Sequence, residues 1–252
     1  MVAEAAPALA PGPVATTALA TLVIPDIAVL QSLSAGDATA GIALDADLRD
    51  EGGTISGSAD FVLGALDTGV LLLPVGDHVV LVDASGPGVT VEPLAATDFS
   101  RPLAKVVLNA APSTRLPVSR TRFEDLTATV FAAEAAGVAA WALDTAAEYA
   151  KVREQFGKPI GSFQAVKHIC AEMLLRSQQS AVAAGDAAVA AAGGDDDQLS
   201  IAAAVATATG IEAATANAKD AIQVLGGIGI TWEHDAHLYL RRAYGIGQFL
   251  GG

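Results

Sequence analysis

The residues of this sequence best equipped to do chemistry fall in two stretches of its second half. Residues 152–164 read VREQFGKPIGSFQ, and residues 221–243 read AIQVLGGIGITWEHDAHLYLRRA. The first stretch sets a cation, Arg153, an amide, Gln155, and an aromatic ring, Phe156, in a short turn containing Gly157 and Pro159. A plain link between two helices needs only a C-capping glycine and something polar, so this turn is specified for more than connection. A guanidinium matches a diphosphate through charge-assisted bidentate hydrogen bonds. Adjacent glycines such as Gly226 and Gly227 let backbone N–H groups approach phosphate oxygens closely. Taken alone, Arg153 also reads as a solvated cation at a helix end. Glu233, His234, Asp235 and His237 are metal-ligand residue types, but their spacing departs from the i, i+4 pair of a helical His site. Helix capping and packing account for them, so no metal is expected. The aspartates at 195–197 lack the spaced ligands of a calcium loop and read as the start of a helix. No Gly-x-Ser-x-Gly elbow, Walker loop or dinucleotide fingerprint is present, which leaves hydrolase, P-loop and Rossmann readings without support.

The elements that position these residues follow from pattern. The first thirty residues are apolar, but no Lys or Arg precedes Arg49, and Pro11, Pro13, Pro25 and Asp26 interrupt the run. A signal peptide or membrane anchor is therefore not expected, and this region reads as partly helical. Over 41–109 short β-rich runs (TISGSADFV, TGVLLLP, HVVLVD, GVTVE, AKVVLNA) alternate with turn residues, the grammar of a small antiparallel barrel or sandwich. After Pro117, Leu126, Val130, Ala133, Gly137 and Trp141 recur at three- and four-residue steps, one face of a long helix. A second helix is predicted over about 162–192, a third from 195 to Leu225, and a fourth from near Glu233. Their Ala and Gly content lets the axes approach closely, so the expected fold is α+β: a β domain over 41–118 and a four-helix bundle over 119–252, preceded by a helical region over 1–40.

Composition narrows the partners. With 28 Asp+Glu against 14 Lys+Arg the formal net charge is -14, which argues against nucleic acid or an anionic membrane. A phosphate-bearing ligand would have to be held by a few placed groups. Cys170 is the one cysteine, inside a helical pattern; it reads as a small buried apolar residue, and the expected compartment is a reducing cytoplasm.

YAKVREQFGKPIGSFQAVKH at 149–168 and the 221–243 stretch closely resemble the C-terminal domain of the acyl-CoA dehydrogenases, flavoenzymes that desaturate acyl-CoA thioesters between Cα and Cβ. A weaker likeness extends over GGTISGSADFV, and residues 1–40 would be a remnant of the family's helical N-terminal region. The resemblance implies FAD shared across a subunit interface. Arg153 would pair with its pyrophosphate, Gln155 and Phe156 would border it, Gln164 would lie near its adenosine end, and Gln223 with Gly226 and Gly227 would receive its ADP portion. It also exposes a gap. The family's catalytic glutamate sits at one of two positions, and here these carry Leu250 and Thr127. Neither side chain can act as a general base near neutral pH. Glu124 and Glu134 share a helix with Thr127 but differ from it in phase. At the flavin-ring pocket, Phe61-Val62-Leu63-Gly64 and LDADLRDEGG replace the family's hydroxyl and amide groups. The implied role is a non-catalytic subunit of a heteromeric, α2β2 acyl-CoA dehydrogenase, whose partner supplies the glutamate and binds most of the acyl-CoA. The bundle face around Trp141 and the turn at 153–159 would then await that partner. A homomeric dehydrogenase with another base, or a flavin-free scaffold, are the competing readings.

Overall fold

Short β-branched runs punctuated by Gly, Pro and Asp cannot sustain helices, and long alanine-rich runs do little else. The chain divides accordingly. The computed structural model describes residues 2–66 and 68–251, in two compact units: Pro11–Thr127, and the residues up to Ala10 together with those from Ala128 onward. Helix α1 (Val2–Ala5) and a 3-10 turn (Ala6–Ala8) belong to the second unit, while α2 (Val14–Val23) and α3 (Ile27–Ala35) belong to the first. Residues 2–35 are thus largely helical and Pro-interrupted, but shared between the units. Asp26 caps α3 by accepting from the Ala28 and Val29 N–H groups at 2.8 and 3.1 Å.

The first unit holds seven strands: β1 (Ala40–Ile42), β2 (Asp47–Asp50), β3 (Thr54–Leu63), β4 (Val70–Val75), β5 (His78–Asp83), β6 (Val89–Leu94) and β7 (Leu103–Ser119). Their order is β2-β3-β1-β4-β5-β7-β6, and a further β3–β7 pairing closes β3, β1, β4, β5 and β7 into a ring. The ring removes most open edges. All pairings are antiparallel except β1–β4, which is parallel. The sequence pattern did not predict β1 or β2, because three- and four-residue strands offer too little alternation. β7 is long enough to pair with β3 and β6 through its first half and with β5 through its second. Ile55, Val62, Leu71, Leu73, Val80, Val82, Val106 and Leu108 fill the interior.

In the second unit, four helices form the bundle. Ser119 Oγ accepts from the Arg122 N–H at 3.1 Å and starts α4 (Arg120–Val152), which runs across the unit boundary. A hairpin of β8 (Glu154–Gln155) and β9 (Lys158–Pro159) and a 3-10 turn (Ile160–Ser162) lead into α5 (Gln164–Gly193). Gly194, in the left-handed region at φ 78°, ends α5, and Asp195 caps α6 (Asp196–Leu225) by accepting from the Gln198 N–H at 3.1 Å. The aspartate run therefore serves as a cap. A 3-10 segment (Gly226–Ile230) precedes α7 (Ala236–Phe249), which at 14 residues is the short member of the bundle. By length and composition α4 and α6 could cross a membrane; 67% of the most apolar stretch of α4 is buried in the fold, and 33% of that in α6. Buried contacts are largely alanine: Ala142 and Ala146 on α4, Ala184 and Ala187 on α5, Ala203, Ala214 and Ala218 on α6.

Candidate functional site

The hairpin after α4 is built around two residues. Glu154 pairs with Pro159 and Gln155 with Lys158, leaving Phe156-Gly157 as a two-residue turn with φ of 55° and 77°. Positive φ at both positions is the type I′ geometry, and it is normally filled by Asn or Gly. A phenylalanine there carries backbone strain, yet its ring is 92% exposed. Among the described residues the ring pairs with that of Phe163, edge-on with centroids 6.0 Å apart, while Lys158 Nζ lies 4.4 Å from the Phe163 centroid. A strained, solvent-facing aromatic offers its own fold little.

The neighbouring polar groups are equally uncommitted. Arg153 is exposed; its backbone is fixed, with its N–H donating to Tyr149 O at 2.9 Å and its carbonyl accepting from Ile160 N–H at 2.8 Å, but its guanidinium makes no ion pair among the described residues. Gln155 Nε2 donates only to the adjacent Glu154 carbonyl, at 2.9 Å. Gln164, at the first position of α5, and Gln223, near the end of α6, are both exposed and make no side-chain hydrogen bond among the described residues. Gly226 takes φ 64° and caps α6 by donating its N–H to Ile222 O, and a Cβ at either Gly226 or Gly227 would point into open space. Four of the 14 basic residues, Lys151, Arg153, Lys158 and Lys167, crowd into 151–167, all exposed, in a chain that is otherwise strongly acidic. A cleft of about 310 Å³ beside the turn is lined by Lys151, Pro159, Gly161, Lys167 and Cys170. Burial, reinforced by Asp220, pushes the Cys170 thiol up from its ordinary value.

Both motifs rest on one apolar cluster. Ala150, Ile160, Val166 and Ile169 from the turn and its flanking helices pack with Met173 on α5 and with Ala221 and Val224 on α6. The structure therefore brings the turn and the end of α6, some seventy residues apart in sequence, onto a common base. The arrangement suits an elongated anion: a guanidinium and lysines for charge, amides for a base or sugar, open glycine backbone for phosphate, and an aromatic edge.

The positions expected of a catalytic base are closed to that role. Thr127 is fully buried, and its hydroxyl donates to the Phe123 carbonyl at 2.7 Å within α4. Leu250 ends α7, its N–H donating to Ile246 O at 3.1 Å. Glu134 lies 2.5 Å from Arg242 in a buried ion pair, and Arg242 also donates to Ala10 O at 3.2 Å. Glu124 is held by Arg120 at 2.7 Å. Phe61 is exposed on β3, whereas Val62 and Leu63 are buried. The Trp141 face is not bare, contrary to the sequence expectation. Trp141 stacks on Tyr239 at 3.4 Å between centroids, and the Tyr239 hydroxyl donates to Pro7 O at 2.5 Å. A residue on another helix supplies this cover, which periodicity within one helix cannot reveal. His234 Nδ1 accepts from the Ala236 N–H at 3.1 Å, a capping role at the start of α7.

Sequence reasoning overlooked a polar node beneath the turn. Asn217 on α6 is fully buried; its Nδ2 donates to Ala139 O on α4 at 3.0 Å and to Met173 O on α5 at 2.9 Å. Its Oδ1 accepts from Arg176 Nε at 2.9 Å, and Arg176 pairs with Asp220. An asparagine on the inward face of the run ATANAKDA was the available signal.

Comparison with known proteins agrees with this geometry. Residues 118–252 match the model of the acyl-CoA dehydrogenase C-terminal domain. The acyl-CoA dehydrogenase FadE34 of Mycobacterium tuberculosis is 64% identical over 254 residues, covering 100% of this chain and 36% of that protein. Two solved structures superpose over the whole chain at 26% identity and 75% of their own length: the Tcur3481-Tcur3483 steroid ACAD G363A variant, with a TM-score of 0.88, and the ChsE4-ChsE5 complex from Mycobacterium tuberculosis, at 0.86. The chain thus spans little more than a third of FadE34 and three quarters of the two structural relatives. With a family match over more than half its length, in the bundle that carries both motifs, the chain belongs to the acyl-CoA dehydrogenase family.

Proposed function

We propose that this chain is the non-catalytic member of a heteromeric, FAD-dependent acyl-CoA dehydrogenase and supplies the half of the cofactor site that reaches across a subunit interface. The observation that carries this reading is a contrast. The Arg153, Phe156, Gln164 and Gln223 side chains are exposed and uncommitted beside the exposed Gly226-Gly227 step, whereas the base positions hold a sealed Thr127 and a leucine. The residues fit the cofactor: Arg153 takes the pyrophosphate, Gln223 with the glycine backbone takes the ADP portion, Gln164 the adenosine end, and Gln155 and Phe156 border it. When bound, FAD accepts the hydride from the acyl Cβ as a base removes the α-proton. This chain holds and orients the nucleotide end, and the partner, a second acyl-CoA dehydrogenase subunit, contributes the carboxylate and most acyl-CoA contacts. The name of one structural relative, a steroid ACAD, supports thioesters of steroid side chains as the substrate class, and the ChsE4-ChsE5 complex supports pairing of unlike subunits.

A visible spectrum of the chain purified alone and then with its partner tests the reading. Flavin bands only in the complex, with no dye reduction by the chain alone, are the expected result. Flavin on the lone chain with turnover would favour a homomeric enzyme, and flavin in neither preparation a scaffold.

A further inference from the structure

The groups assigned to the nucleotide end of FAD sit on three separate helix ends: Arg153 just past α4, Gln164 at the start of α5, Gln223 near the end of α6. At that end of the bundle, the chain joins α4 to α5 but not α5 to α6, whose short link at Gly194-Asp195 lies at the far end. Packing there sets Ala142, Ala146, Ala150 and Ala221 among Met173, Val224 and the partly buried Leu143, Ile160, Val166 and Ile169. Apolar contacts are non-directional, so a directional hydrogen bond within such a seam adds a constraint on the axial register of neighbouring helices. A buried, fully hydrogen-bonded asparagine in an apolar seam is an established way to fix register.

We infer that Asn217 is a positioning residue for the nucleotide half-site, setting the register of α4, α5 and α6 so that Arg153, Gln164 and Gln223 converge on one ligand. The inference rests on the FAD half-site reading. One side chain reaches the backbone of both other helices, through Ala139 O and Met173 O. Its remaining acceptor is oriented by Arg176, which Asp220 holds in turn. Along the axes the node lies about 9 Å from Gln223, about 14 Å from Gln164 and about 21 Å from Arg153 at 1.5 Å per residue. Ala139 and Met173 lie inside α-helices, where their carbonyls already accept from the N–H four residues on. Replacing the amide by an apolar side chain therefore orphans neither carbonyl and need not reduce stability. That separates a register role from a merely structural one.

The test titrates ADP into the flavin-free complex of the full chain with its partner subunit and follows this chain's Gly226 and Gly227 backbone amide resonances and the Arg153 Nε–H, alongside thermal melting. Wild type is expected to show saturable shifts at all three. Asn217→Leu is expected to melt within a few degrees of wild type yet bind ADP about fivefold or more weakly, since a displacement near 1 Å degrades a convergent site. Asn217→Leu binding ADP within about twofold of wild type, while Arg153→Ala binds weakly, would overturn the positioning role and leave the half-site standing. No shift in wild type would overturn the half-site and the positioning role together. If Asn217→Leu does not fold, Arg176→Ala carries the same test from the partly exposed edge of the node: weaker ADP binding is expected, and unchanged binding overturns the proposal.

Discussion

At the scale of single residues, the proposed function separates groups kept for a ligand from groups closed to catalysis. Phe156 is the clearest case of the first. Its left-handed backbone costs about 1 kcal/mol or more relative to glycine, and its ring buries almost nothing in return. Phe156→Gly is therefore expected to leave stability unchanged or raise it by up to about 1 kcal/mol in a thermal melt, while lowering flavin retention in the assembled enzyme. A variant that loses both stability and flavin would contradict the division. Thr127 is the clearest case of the second. Thr127→Glu places a carboxylate where the threonine side chain is wholly enclosed, at an expected cost of several kcal/mol, and Leu250→Glu restores a carboxylate without restoring polar groups at 61–64. Neither variant should raise turnover per flavin in the complex. The residues proposed to face the ligand could be picked out in the sequence because exposed, specified turns are written in local residue types. Asn217 and the Trp141–Tyr239 stack were not, because their partners lie on other helices, 78 and 98 positions away.

At the scale of elements, the bundle and the barrel were legible to different degrees. The four bundle helices and their glycine and aspartate boundaries follow directly from period and capping signals, and Gly194 and Asp195 stand where those signals put the break between α5 and α6. The barrel was legible as β-rich but not in its closure. Its parallel β1–β4 pair and the double pairing of β7 depend on non-local register, to which short runs contribute little signal. Residues up to Ala10 are tied to the bundle through Tyr239, Arg242 and Glu134. Arg242→Leu would strand a buried carboxylate and is expected to cost about 3–5 kcal/mol, whereas pairing it with Glu134→Leu should recover most of the loss. Equilibrium unfolding of the single and double variants checks this. Burial, with Asp235 adding to it, raises the Tyr239 phenol above its ordinary value, which Arg242 partly offsets. A raised folded pKa stabilises fully below the unfolded value and is lost as pH climbs through the folded one. The bundle should accordingly lose stability above about pH 10, and Tyr239→Phe should flatten that alkaline limb. An equally steep limb in Tyr239→Phe would assign it elsewhere.

At the scale of the whole molecule, an acidic chain places four of its 14 basic residues within 151–167, all of them exposed. On the proposed reading, the turn at 153–159 completes the partner's cofactor site. The most direct test is the FAD affinity of the assembled enzyme carrying Arg153→Ala in this chain alone. Losing a charge-assisted contact to a diphosphate removes about 1.5–3 kcal/mol, so FAD should bind roughly ten- to a hundredfold more weakly, with turnover restored by excess cofactor. Unchanged FAD occupancy and affinity in Arg153→Ala would show that the nucleotide is held elsewhere and that this chain does not supply the half-site.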